Sequence, residues 1–129
     1  MKYQLNQKLG DIMNLDFSHK PNYFLFAQLL VRFIETQSKQ QNMSQLNISF
    51  EQLEQIFQGD SAATTINLEG ILNIADEYQV ETLTGDQKLI SNYQINSEQS
   101  QLQLELNPAA VEAVIQGKAL ISPDATLHQ

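Results

Sequence analysis

Two alternating runs that pass directly into an Asn-Pro helix start constrain this chain more than any other feature. In "KLISNYQINSEQSQLQLELNPAAVEAVIQG", Lys88 to Gly117, the residues Leu89, Ser91, Tyr93 and Ile95 alternate with Ile90, Asn92, Gln94 and Asn96. Leu102, Leu104 and Leu106 then alternate with Gln101, Gln103, Glu105 and Asn107. Side chains two apart share one face of a strand, so both runs read as strands with one buried face. The polar "NSEQS" joins them as a hairpin. Asn107 is placed to cap a final helix and Pro108 to open it, since proline lacks an N–H that the first turn leaves unpaired anyway. Gly117 closes that helix.

The strongest helical signal precedes the hairpin. From Asn22 to about Lys39, apolar residues including Phe24, Phe26, Leu30, Phe33 and Ile34 cover most of the circumference. Pro21 stands where this helix can begin. Its polar exceptions, Gln28, Arg32, Glu35 and Lys39, form one narrow stripe. A helix apolar nearly all round is buried on most sides, which puts this one at the centre of the core. Phe26, Leu30, Phe33, Ile56, Leu68, Leu72, Leu104 and Leu106 are expected to share that core.

Between helix and hairpin, Leu46, Ile48 and Phe50 alternate as a short strand. Ser49 and Gln52 have the spacing of a capping box, which opens a helix that Gly59 ends. "DSAAT" reads as a turn, and Thr64 or Thr65 as the cap of a next helix running to about Gln79. Before all this, Leu5, Leu9, Ile12 and Met13 recur at helical spacing between Tyr3 and Leu15.

The expected class is therefore α+β. The order from Asn22 to Asn107 is that of a winged-helix-like domain, with a helical core, a small antiparallel sheet and a C-terminal hairpin as the wing. The chain divides into an N-terminal helix and loop (1–21), the winged-helix-like domain (22–117) and a partly ordered tail (118–129). Across about residues 22–117, the elements around "LNISFEQLEQIF" and "LISNYQINSEQSQLQLELNPAAVEAVI" resemble the N-terminal winged-helix domain of plasmid replication initiator proteins. The resemblance implies a dimerising domain followed by a second winged helix that supplies much of the DNA contact. It carries over no functional residue, and this chain lacks the basic residues of that family.

Charge points elsewhere. The 129 residues hold 15 acids against 7 bases, a net charge of −8. Such a surface repels phosphate and anionic lipid and attracts basic partners; the plainer alternative is that it only keeps the chain soluble. Between Gln40 and Gln87 there are acids but no base. The would-be recognition helix offers Glu69, Asp76 and Glu77 where a DNA reader offers Arg or Lys. Asn73 has the chemistry to read adenine, but base contacts need phosphate contacts to position them. Lys39, Lys88 and Lys118 are the cations whose convergence would favour nucleic acid.

Catalytic signatures are not visible. Cysteine is absent, and His19 and His128 have no partner at ligand spacing. Asp76 and Glu77 are adjacent and point about 100° apart on a helix, so they do not form an acid/base pair. The glycines are isolated and make no phosphate loop. No cofactor or metal is expected. No apolar run nears the roughly 18–20 residues of a membrane span, and no signal-peptide pattern is read at the N-terminus, which is compatible with a cytoplasmic protein.

Two functions remain. The first is a non-catalytic protein-interaction or regulatory module. It would act either as a homodimer or adaptor using a sheet edge and the wing, or as an acidic inhibitor of a nucleic-acid-binding partner, as phage-encoded anti-defence proteins often do. Its contact residues would be Glu51, Glu54, Glu69, Asn73, Asp76 and Glu77, forming one negative surface. The second is a DNA-binding or replication- or transcription-associated winged-helix protein.

Overall fold

The computed structural model describes residues 22–123. The helix expected between Tyr3 and Leu15, both histidines, Pro21 and the end of the tail lie outside the described residues. Within them, five helices pack with two three-stranded antiparallel sheets, an α+β arrangement.

Helix α1, Tyr23–Gln40, is opened by Asn22, whose Oδ1 accepts the Leu25 N–H at 3.0 Å. Ala27, Leu30, Val31, Ile34 and Ser38 form its buried stripe. The polar stripe behaves as its spacing implies. Arg32 Nη1 lies 3.1 Å and Lys39 Nζ 3.8 Å from the Glu35 carboxylate. The aromatic residues do not all reach the centre. Phe26 and Phe33 are half-buried and Leu25 is exposed, because the tightest contact is made by the Leu30 stripe. Ile56 is likewise half-buried, whereas Leu68, Leu72, Leu104 and Leu106 are in the core as expected.

Strand β1, Gln45–Ser49, runs into helix α2, Phe50–Ile56, where Ser49 Oγ accepts the Gln52 N–H at 3.1 Å. Gly59 closes this segment at φ +88°, a left-handed conformation that costs glycine little, and donates to Glu54 O at 2.7 Å.

The next segment corrects the sequence reading. "DSAAT" is not a turn. It is helix α3, Ser61–Thr65, capped by Asp60, whose Oδ1 accepts the Ala63 N–H at 3.0 Å. Asp60 takes the capping role because its extended backbone sets its carboxylate against the free Ala63 N–H. Thr64 and Thr65 lie inside the helix, with hydroxyls donated back to Asp60 O and Ser61 O. Helix α4, Leu68–Ala75, follows after a break. Its N-cap residue Asn67 makes no capping bond; its Oδ1 instead accepts the Tyr23 hydroxyl at 3.3 Å. The helix stops at Ala75 rather than near Gln79, because Gln79–Thr82 is captured as strand β2 by β3, Gly85–Lys88. The Leu83–Thr84 turn is held by Thr82, whose Oγ1 lies 2.6 Å from Gly85 O and accepts the Thr84 N–H at 3.2 Å.

Strands β4, Ile90–Asn96, and β5, Gln101–Leu106, form the expected hairpin, and β1 pairs with the far side of β5 to give the order β1-β5-β4. The register departs from strict alternation at one point. A bulge between Ile90 and Asn92 leaves Ser91 exposed, so that Leu89 and Ile90 are both fully buried. Helix α5, Pro108–Ile115, is capped by Asn107, whose Oδ1 accepts the Ala109 N–H at 3.1 Å, and ends at Gly117 with φ +97°. Leu120–Ile121 is strand β6, which pairs with β2 and completes the second sheet, β3-β2-β6. That part of the expected tail is therefore ordered structure.

The core is one cluster. Helices α1, α4 and α5 enclose it with the inner face of β1-β5-β4, and Leu30, Ile34, Ile48, Leu53, Leu72 and Leu104 are almost wholly hidden from solvent.

Candidate interaction face

The first turns of α4 are fixed against α1 by the buried residues Leu68, Ile71 and Leu72. That orientation leaves Glu69 and Asn73, one turn apart, on the exposed side, with Asp76 a further turn on. Strand β4 brings Tyr93 to this stripe, and its hydroxyl donates to Asn73 Oδ1 at 3.0 Å. Strand β3 brings Lys88, whose Nζ donates to Asp76 Oδ2 at 2.7 Å. The Tyr93 phenol is pushed above its usual pKa of 10.0 first by partial burial, then by the nearby Asp76 and Glu69 carboxylates, with Lys88 opposing. Glu69, Asn73, Asp76, Tyr93 and Lys88 thus form one neighbourhood.

Two parts of the expected acidic surface need correction. Asp76 is not uncompensated, since Lys88 pairs with it. Nor do all the α4 acids point freely outward. Asp76 and Glu77 are half-buried, whereas Glu69 and Asn73 are exposed. Glu51 and Glu54 are exposed on α2 and line a shallow concavity with Gln55, Gln58 and Gly59; no α4 residue contributes to it.

Among the described residues, the cations give no phosphate track. Lys39 pairs with Glu35 and Lys88 with Asp76. Lys118 lines a groove of about 550 Å³ together with Glu81 and Glu112, between α5 and the Leu83–Thr84 turn. The sequence reading missed this groove because it missed the β2–β3 hairpin that makes one wall. The signal was Thr84-Gly85, a turn dipeptide between two short polar runs, with Gly85 at φ +112°. Leu83 stands fully exposed at its tip.

Among the described residues, no group of three His, Asp or Glu side chains could hold a metal ion. No helix there is long and apolar enough to cross a membrane. The arrangement can donate and accept hydrogen bonds and present negative charge. Comparison with protein-family models, curated proteins and solved structures gives no match.

Proposed function

We propose that residues 22–117 form a winged-helix-like domain that serves as a non-catalytic protein-interaction or regulatory module. The order of α1, β1, the helices α2 to α4 and the β4–β5 hairpin supports the fold reading, as does β1 lying beside the last strand of the wing. The β2–β3 hairpin is an insertion into that plan. On this reading α4 occupies the place of a recognition helix.

One observation carries the functional reading. Among the described residues, Lys88 is the cation that pairs at the end of α4, where Asp76 engages it, and the exposed positions are Glu69 and Asn73. Duplex binding needs cations that neutralise phosphates, commonly about 6–10 contacts, and residues 22–123 contain four cations against twelve carboxylates. A face of this sign fits a partner with a basic surface, and the partner's own nucleic-acid site is the natural candidate. The module would then act as an acidic inhibitor of that site.

The test is capture of a basic protein from the native host by the full chain, compared with the double variant Glu69→Lys and Asn73→Lys. Both positions are exposed, so the fold is expected to survive. The wild type is expected to capture its partner faster at low salt, because opposite fields steer the encounter, and the variant to lose it. Low-salt fluorescence anisotropy with duplex DNA should show no binding. Retention of the same partner by the variant, or tight duplex binding by the wild type, would overturn the reading.

A further inference from the structure

The open edge of β1 is built to pair with another strand. Leu46 faces Leu104 and Ile48 faces Leu102 across the ladder, while the Leu106 N–H bonds to Ser44 O at 2.8 Å and the Phe50 N–H to Ser100 O at 2.9 Å. Hydrogen-bonded and non-hydrogen-bonded pairs alternate in an antiparallel ladder. The even positions therefore point their N–H and C=O toward β5. Gln45 and Asn47 turn theirs away, and among the described residues these backbone groups have no backbone partner.

Edges of sheets are normally blunted by charge, proline, a bulge or brevity. Three of the four edges here are. Strand β4 carries the bulge at Ser91 and lies beside Glu69 and Asp76 through Tyr93. Strand β3 carries Asp86 and Lys88, and β6 has two residues. Strand β1, "QLNIS", has no charge, proline or bulge, and its five residues make it longer than β3 and β6. Met43, Leu46 and Phe50 lie along it half-buried, so apolar surface is also available there.

We propose that β1 pairs antiparallel with β1 of a second copy of this chain, about a two-fold axis at Asn47, to make one six-stranded sheet. In that register Asn47 meets Asn47 of the second copy, Leu46 meets Ile48, and Gln45 meets Ser49. No carboxylate faces another across the junction. In a chain of net charge −8, that neutrality makes β1 the place where two copies meet without like-charge repulsion. A partner copy is favoured over a charged peptide because the strand offers only neutral, self-complementary groups. This inference does not depend on the acidic-face reading, which uses α4. Two five-residue strands make an interface under about 1,200 Å², so the dimer is reversible.

Sedimentation velocity of the full chain from about 5 to about 500 µM brackets the range where an interface of this size dissociates. The wild type is expected to shift from monomer to dimer. Asn47→Pro removes only an outward N–H, and Asn47→Lys places a charge on the edge while keeping the backbone intact. Both should stay monomeric with unchanged circular dichroism and melting temperature. Gln94→Lys, on the same sheet face but with its N–H turned toward β5, should still dimerise. A wild type that stays monomeric throughout would overturn the proposal and leave the edge to a different chain. So would a dimer that persists in both Asn47 variants, or one lost only in Gln94→Lys.

Discussion

Replacing Gly70 with Ala tests how closely α1 and α4 are fitted. Glycine inside a helix costs about 1 kcal/mol relative to alanine, so with nothing in the way Gly70→Ala would stabilise α4 by about that amount. Something is in the way. A Cβ at position 70 would sit 2.8 Å from Tyr23 Cε2 and 3.0 Å from Cζ. Carbon atoms prefer about 3.5–4.0 Å, so the ring must move by roughly 1 Å. Moving it breaks the Tyr23 hydroxyl bond to Asn67, already long at 3.3 Å, and disturbs the packing of the half-buried ring against the core. Overpacking of this kind costs about 1–3 kcal/mol. The two effects oppose each other in the single variant, which is expected to lose about 0–2 kcal/mol. The decisive quantity is the difference between backgrounds. Urea unfolding of the wild type, Gly70→Ala, Tyr23→Ala and the double variant should show Gly70→Ala becoming stabilising once the ring is gone, with a coupling of about 1–3 kcal/mol. An equal effect of Gly70→Ala in both backgrounds would refute the steric argument.

Other substitutions follow from burial and partners. Phe57 is 1% exposed and meets Phe26 edge-to-face with centroids 5.3 Å apart, so Phe57→Ala should cost about 3–5 kcal/mol in denaturant unfolding. Phe33→Ala, at a half-buried site, should cost about half as much. Ser38 is 1% exposed and its Oγ has no hydrogen-bond partner among the described residues, so Ser38→Ala should raise stability by about 1 kcal/mol, seen as a higher urea midpoint. Burial raises the pKa of Tyr78 and Tyr93 above 10.0. Above that pH the unfolded phenols lose protons while the folded ones keep theirs, so the folded state loses stability as pH rises through the raised values. Tyr93→Phe should make that alkaline loss shallower, followed by tyrosinate absorbance and unfolding midpoints together.

What could be read from the sequence was whatever a short local pattern specifies. Asn107-Pro108 located the start of α5 because one side chain and one missing N–H settle it, and Ser49 did the same for α2. Period-two alternation placed Leu102, Leu104 and Leu106 on the buried face, since β5 is central and pairs on both sides. The failures occurred where local signals compete. Asp60 and the two threonines after it can all cap a helix, and only the backbone geometry selects Asp60. Strand β2 reads as the end of a helix, because the Leu83–Thr84 turn to β3 carries only a weak local signal and its other partner, the tail strand β6, is distant in sequence. The bulge at Ser91 has no glycine to announce it. Phe33 looked central because its type is apolar, yet burial follows the angular position of Leu30 and Ile34 rather than ring size. The candidate site was legible as a set of residue types on α4, but the pairing of Asp76 was not.

That pairing is a consequence of the β2–β3 hairpin. Strand β3 returns the chain to the point where α4 ended, and the Leu89 N–H bonds to Tyr78 O at 3.2 Å. Lys88 therefore lies opposite Gln79 in the ladder and reaches back to Asp76. Side chains that are 49% and 25% exposed make an ion pair worth about 0–1 kcal/mol, so the fold does not depend on it. Its main effect is on the surface. It neutralises the C-terminal end of α4, where a negative charge would oppose the helix dipole, and leaves Glu69 at the N-terminal end, where negative charge is favourable. The exposed negative charge of this stripe is thereby concentrated beside Asn73 and Tyr93 rather than spread along the helix. A basic side chain docking on α4 would meet Glu69 with hydrogen-bonding groups already in place around it. That localisation is why Glu69 and Asn73, rather than Asp76 and Glu77, are the positions at which the interaction reading stands or falls.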